Sequence, residues 1–278
     1  MAPDTEIASD GLPARTIKAH SLEKFDRHGK YCATFNNAMR YLWKDNRGYL
    51  ELFAGPGLAI DEETGQEVDG CPLIAASMKQ PGFTRLAFVE CDPELADALE
   101  QRLRRRGIGA DQALVIAGDA NDHDTIAQAV AFLPNPGLVY AFVDPEDINN
   151  EWHALEFLAS RRYPRIDLLI NLPINAIERA IGRKHFDPIT RVIGHDRWLA
   201  EIEAGGEPAA VTRAAYRAQL ETLNYAFVRD KQITIAGSSR NIYDLFFASR
   251  NPRAAKLWDA IERIQPSGQR ALFDPADN

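Results

Sequence analysis

The chain has 278 residues, 45% hydrophobic and 26% charged, with a net charge of −8, enough for a substantial core in one large domain or two small ones. No apolar run approaches the roughly 20 residues that span a bilayer, and the start MAPDTEIASDGLPART has neither an apolar core nor a basic leader, so a soluble cytoplasmic protein is expected. The basic excess of a dedicated nucleic-acid binder is missing: residues 1–150 hold 14 basic against 24 acidic side chains and 151–278 hold 18 against 16, which leaves a local basic face open only on the second half.

After an N-terminal arm (1–20), SLEKFDRHGKYCATFNNAMRYLW (21–43) reads as one or two helices with Ser21 as N-cap and Lys24 at the third position after it, an incomplete capping box. GYLELFA (48–54) reads as a strand running into the turn Gly55-Pro56-Gly57. The helix expected directly after such a turn is delayed by the polar run AIDEETGQEVDG, and restarts near Pro72. Strands follow at 84–90, 113–117, 138–143 and 166–171, with helices at 72–79, 93–106, 122–133 and 150–161 between them. Each crossover is long enough for a helix, so these strands lie parallel in an α/β doubly wound sheet. The near-continuous apolar runs LVYAFV and LLINL suit strands buried on both faces. Residues 174–223 are helical with a break at AGGEP. YAFVRDKQITI (225–235) and NIYDLFFAS (241–249), joined by AGSSR, then form an antiparallel terminal hairpin. One domain (21–265) with an insertion at 174–223 and a tail at 266–278 is the expected organisation.

In a doubly wound sheet, ligands bind outside the carboxyl ends of the strands. Here those ends read FAGPG, then Glu90-Cys91-Asp92, then Gly118-Asp119-Ala120-Asn121, then Asp144-Pro145-Glu146, then Asn171-Leu172-Pro173. The glycines let the backbone approach a ligand closely, and an acid after the second strand suits a ribose diol. Each acid alone has a plain alternative as a helix N-cap, with Asp92-Pro93 and Asp144-Pro145 fitting that role and Asp119 or Asn121 capping the next helix. Their succession in register with the sheet points to a nucleoside-containing cofactor. Cys32, Cys71 and Cys91 are too few and too dispersed for a disulfide framework or zinc site and read as buried free thiols. The six histidines are scattered, so no metal is expected. No cysteine reads as paired with a histidine, which leaves a covalent cysteine mechanism unsupported, although Cys91 falls in the crevice.

The succession ELFAGPG, FVECD, AGDAN and VDP with a terminal hairpin resembles the class I S-adenosylmethionine-dependent methyltransferases. More narrowly, LFAGPG, DGCPLIAA, FVDPEDINNEWHALEFLA, RIDLLINLPINAI and YDLFFASRNPRAAKLWDAI resemble the bacterial three-Cys-motif partner proteins, over most of the chain from Ser21 to Ile264. That resemblance implies a seven-stranded, mostly parallel Rossmann-like sheet binding S-adenosylmethionine. Phe53, Ala54, Gly55, Pro56 and Gly57 would pass its methionine part, Glu51 would face the ammonium, and Glu90 would take the ribose hydroxyls. Cys91 and Asp92 would lie beside the adenine, Asp119 would accept from its amine with Ala120 flanking, and Asp144 would stand beside the transferring methyl as the catalytic residue. Residues 59–71 become a decoration that covers the cofactor, touches a substrate or partner, or is a solvated hairpin. Glu146 stands where the family tends to carry an aromatic, which argues against a nucleic-acid base amine as acceptor.

Two readings stay open: a methyltransferase of unknown acceptor, nucleic acid included, and a non-catalytic binding subunit acting with a three-Cys-motif protein. A dinucleotide-binding enzyme is disfavoured by the end hairpin and by a glycine turn short of G-x-G-x-x-G. RLRRR (102–106) reads as a solvated face, while RRYPR (161–165) and GRKH (182–185) are candidate phosphate contacts. The four tryptophans read as packing residues.

Overall fold

The computed structural model describes residues 4–160, 165–234 and 241–263. The loop AGSSR, residues 161–164 of the RRYPR stretch and the tail at 266–278 lie outside them. In chain order the elements are β1 (Thr5–Ile7), β2 (Pro13–Ile17), α1 (Ala19–Trp43), β3 (Arg47–Leu52), β4 (Leu58–Asp61), β5 (Glu67–Asp69), α2 (Cys71–Ala76), β6 (Arg85–Glu90), α3 (Pro93–Arg105), β7 (Ala113–Ala117), α4 (His123–Phe132), β8 (Leu138–Val143), α5 (Trp152–Ala159), β9 (Arg165–Leu172), α6 (Ile174–Gly182), α7 (Asp187–Ile193), α8 (Trp198–Glu203), α9 (Pro208–Thr222), β10 (Phe227–Thr234), β11 (Asn241–Ser249) and α10 (Pro252–Glu262). No described helix is long and apolar enough to cross a membrane.

The central sheet has the order β10-β11-β9-β8-β3-β6-β7. Strands β7, β6, β3, β8 and β9 are parallel, and β11 runs against β9 and β10. Side chains alternate between its faces. Tyr49, Phe88, Tyr140, Phe142 and Phe247 pack on one face with residues of α1, α2, α3 and α10. Leu50, Val89, Ala141, Ile170 and Phe246 pack on the other with α4 to α9. The same period of two sends Glu51 and Asn171 to the α1 face. Trp152, Trp198 and Trp258 are buried packing residues as expected, and Trp258 stacks on Phe247 with ring centroids 5.1 Å apart.

Helix α1 is a single helix. Its N-cap is Lys18, which makes no side-chain cap bond, so Ser21 lies inside the helix. Asp92 does cap α3, accepting from the amides of Glu94 and Leu95, whereas α4 is capped by Asp122 and not by Asp119 or Asn121. The α1 face buries a polar cluster. The His28 ring lies 3.0 Å from the Tyr140 hydroxyl and 3.4 Å from both the Tyr49 hydroxyl and the Cys32 thiol. Cys32, one helical turn from His28, therefore does stand beside a histidine, contrary to the expectation from spacing. Burial pushes the thiol well up and the imidazole down to about 3, so the two meet as neutral partners. His28 stays neutral in the folded chain to about pH 3 and takes up its proton near 6.5 when unfolded. Its contribution is thus complete above pH 6.5 and is lost by up to about 1.4 kcal/mol per pH unit as pH falls toward 3. His28→Gln should therefore cost stability at pH 7 and less at pH 4.5 in urea titrations. A pH-independent difference would refute this assignment.

A second sheet, ordered β1-β2-β4-β5, joins the N-terminal arm to the polar insert through parallel pairing of β2 with β4. The Gly70 amide donates to the Gly57 carbonyl at 2.7 Å, so the chain leaves the glycine turn, makes the β4–β5 hairpin and returns to the same point to begin α2. RLRRR is a solvated face only in part: Arg104, Arg105 and Arg106 are exposed, but Arg102 turns inward. Arg102 is buried, donating from Nε and Nη2 to the Asp10 carboxylate (2.8 and 2.9 Å) and also to the carbonyls of Leu12, Pro13 and Pro56. Arg106 grips the Asp69 carboxylate with two bonds of 2.7 and 2.6 Å. These cations clamp the second sheet onto α3.

Candidate functional site

A cavity of about 700 Å³ opens at the carboxyl ends of the central strands, within the size range of small-molecule sites. Its walls bring together Glu51, Phe53, Ala54, Gly55, Pro56, Gly57, Glu90, Cys91 and Asp144. Asp92, Asp119 and Ala120 are not among the lining residues: Asp92 is engaged at the start of α3, and Asp119 accepts from the Asn121 amide at 2.8 Å. Residues that were not singled out as site residues complete the walls, including Arg15 to Ile17 from the second sheet, Lys18 at the start of α1, His20 and Lys24 from α1, and Asn175 and Arg179 from α6.

The glycine turn is shaped by its own backbone. Gly55 and Gly57 adopt φ of +64° and +83°, and Phe53, a non-glycine, adopts +65°, a left-handed conformation that costs an L-residue on the order of 1–2 kcal/mol. Strain of this kind persists where the surroundings enforce it. Here Glu90 does so: its carboxylate accepts from the Gly55 amide at 2.7 Å and from the Asp92 amide at 2.9 Å. A side chain at Gly55 would project into open space, so glycine leaves the cavity free at that point.

The floor holds two acids, Glu51 buried and Asp144 half-buried, with different partners. Glu51 accepts from the Tyr49 hydroxyl at 2.7 Å, and burial pushes its carboxyl well above the ordinary glutamate range despite that bond. Asp144 is not a helix cap, since α5 begins after Glu151. Its Oδ2 receives Lys24 Nζ at 2.6 Å and its Oδ1 receives Asn171 Nδ2 at 2.7 Å. Burial alone would lower the Lys24 pKa, and Asp144 together with Cys71 and Glu51 more than offsets this, leaving it raised. Across the mouth, Arg15 pairs with Glu146 at 2.7 Å and ties the second sheet to the loop after β8.

Elsewhere, His123 and His153 approach to 3.1 Å, and His153 also contacts Glu151 at 2.9 Å. Their separation of 30 residues hid this pair from the sequence. No group of three or more potential ligands among the described residues is arranged to hold a metal. Cys32 and Cys71 are buried as expected, but Cys91 is exposed at the cavity.

No protein-family model matches the chain, and no curated protein does. Among solved structures, protein LPL1258 from Legionella pneumophila str. Philadelphia 1 superposes with a TM-score of 0.52 at 15% identity, over 88% of this chain and 91% of that one. The chain shares its fold with that protein. The methyltransferase domain of bacterial CtHen1 matches with a TM-score of 0.45 at 11% identity, over 82% of this chain and 99% of the other. An O-methyltransferase from Bacillus cereus, solved in complex with SAH, matches with a TM-score of 0.42 at 13% identity, over 78% and 80%. The expected seven-stranded sheet of the class I methyltransferase type, with one reversed strand near its edge, is the fold observed.

Proposed function

We propose that this chain is an S-adenosylmethionine-dependent methyltransferase of the three-Cys-motif partner type. The observation that carries this reading is the cavity at the ends of the parallel strands, with its strained glycine turn clasped by Glu90. The residues fit the cofactor: Gly55 leaves open space, and Glu90 keeps carboxylate lone pairs for a ribose diol beyond its two amide bonds. When bound, S-adenosylmethionine would supply a methyl group activated on a sulfonium. The chain's own task is to hold the acceptor in line and dry. Helix α6, at the start of the 174–223 segment, is the proposed acceptor side. Its Arg179, with exposed Arg183 and Lys184 at its end, suits an anionic molecule, nucleic acid included.

Titration calorimetry with S-adenosylmethionine and S-adenosylhomocysteine tests the reading. Micromolar binding is expected, and no heat with either compound sinks it. Binding should also release a proton, because an ammonium against Glu51 favours the ionised form of a carboxyl whose pKa burial raises. Heats should therefore differ between phosphate and Tris buffers, affinity should rise with pH, and both effects should vanish in Glu51→Gln. Buffer-independent heats with the wild type would remove Glu51 from the ammonium site.

The Lys24–Asp144 pair favours a second reading, a cofactor-binding subunit that transfers nothing and acts with a three-Cys-motif protein. Transfer of labelled methyl groups to bacterial RNA or DNA above an Asp144→Ala control decides for the enzyme.

A further inference from the structure

Among the fixed cations on the cavity walls, Arg15 pairs with Glu146, Lys18 lies 3.8 Å from Glu62 and Lys24 holds Asp144. Arg179 of α6 lines the same cavity, is exposed, and has no acidic partner among the described residues. It opens the run RAIGRKH, three fixed cations and a histidine with no acid between Glu178 and Asp187. Arg183 and Lys184 are exposed and likewise without an acidic partner among the described residues. Positions four apart share a face of a helix, so Asn175, Arg179 and Arg183 follow one line along α6. The first two line the cavity and the third is the C-cap beyond it. Positive charge is thereby carried outward along a ridge of about 12 Å.

The end of α6 holds Lys184 in an unusual place. The His185 amide donates to the Ala180 carbonyl at 2.8 Å and the Lys184 amide to that of Ile181 at 2.9 Å. These are the closing bonds of a helix whose next residue turns left-handed, a position that glycine usually takes. Here it is Lys184, with φ of +57°. An L-residue is strained there, and such strain clusters where function uses it. Attraction to the helix dipole explains basic residues in the last turn, but it does not require a lysine where glycine is more stable.

The exposed residues of this run are Arg179, Gly182, Arg183, Lys184 and His185, while Ala180 and Ile181 are buried. A bound peptide needs apolar pockets or a strand edge to pair with, and the ridge offers neither. Phosphates need only positive charge. A nucleotide reaches a recessed cavity from an unpaired or flipped strand.

We propose that α6 is a phosphate track on which Arg179, Arg183 and Lys184 hold the backbone of a single-stranded nucleic acid, with one nucleotide at the cavity mouth. The inference deepens the methyltransferase reading and rests on it for what happens in the cavity, though not for the binding itself.

Fluorescence anisotropy of the full chain with labelled single strands of RNA and DNA, each of about 12 nucleotides, tests the track. Micromolar binding of at least one is expected in about 50 mM salt. The variant Arg179→Gln/Arg183→Gln/Lys184→Gly should lose at least about tenfold in affinity, and its slope of log affinity against log salt should be shallower by about 2, the change for three lost phosphate contacts. Lys184→Gly alone relieves the left-handed strain, so its melting temperature should rise while affinity falls about threefold. A variant more stable than the wild type has not lost binding through misfolding. Arg104→Gln removes an exposed cation of α3 outside the cavity lining and should leave affinity within about twofold. Failure of the wild type to bind either strand, binding that the triple variant retains, or displacement by polyglutamate or inorganic phosphate as complete as by unlabelled strand at equal charge overturns this inference alone. Strand binding that depends on the ridge, with no calorimetric heat from S-adenosylmethionine or S-adenosylhomocysteine, upholds the track and overturns the methyltransferase reading.

Discussion

Replacing Arg102 with methionine should release the second sheet from the body of the protein and cost about 3–5 kcal/mol, the range for losing one partner of a buried ion pair. Arg102 is 3% exposed and makes five hydrogen bonds, two to the Asp10 carboxylate and three to backbone carbonyls. Methionine fills much of the same volume, so the loss measures polar satisfaction rather than a cavity. The carbonyls of Pro13 and Pro56 would lose the Arg102 donor, while that of Leu12 keeps the Ala8 amide at 3.0 Å. Asp10, whose carboxyl the Arg102 bonds hold below the usual carboxylate range, would keep only the Leu12 amide and the more distant Arg105. Because Pro56 belongs to the glycine turn, the damage should reach the cavity. Affinity for S-adenosylhomocysteine should fall along with stability, and limited proteolysis should cut within the first 17 residues. In urea titrations, a loss below about 1 kcal/mol with no new cleavage would show that the second sheet is held by other contacts. That bound is the range of an exposed ion pair.

Lys24→Met should be comparably costly for a different reason. The side chains of Lys24 and Asp144 are 13% and 14% exposed, so removing the ammonium leaves a carboxylate shielded from water with one amide donor from Asn171. A loss of about 3–5 kcal/mol at neutral pH follows. Adding Asp144→Asn removes the stranded charge, and the double variant should recover most of the loss. A double-mutant cycle by urea unfolding reads the coupling directly. Additive effects would mean that the pair is screened like an ordinary surface bridge.

Most of the fold was legible in the chain because it rests on local, periodic signals. LVYAFV and ALVIA are strands with the bounds read from their apolar runs, and Asp92-Pro93 begins α3 as its capping chemistry requires. The glycine turn, Glu90 and Asp144 could be grouped in one crevice because strand ends in a parallel sheet point the same way, while Glu51, inside β3, was placed there by the family resemblance alone. Asp119 was grouped by the same rule, but its carboxylate turns back onto the Asn121 amide, a choice of local hydrogen bond that spacing does not reveal.

The rest depended on contacts between distant segments. TEI and PARTI are too short and irregular to announce strands, and they become a sheet only because β2 meets the insert. The charges of RLRRR look alike in sequence. Helical geometry turns Arg102 inward, and partners more than 40 residues away satisfy it. Lys24 stands out in the sequence only as a position of an incomplete capping box, and α1 lying across the sheet is what brings it against Asp144, 120 residues on. The sequence by itself determined the layered α/β architecture and a crevice lined with acids and glycines, since periodicity, capping and turn chemistry act over a few residues. Only the tertiary structure decided which of those acids are clamped and by which partners, because ion pairing and burial depend on what the rest of the chain brings near.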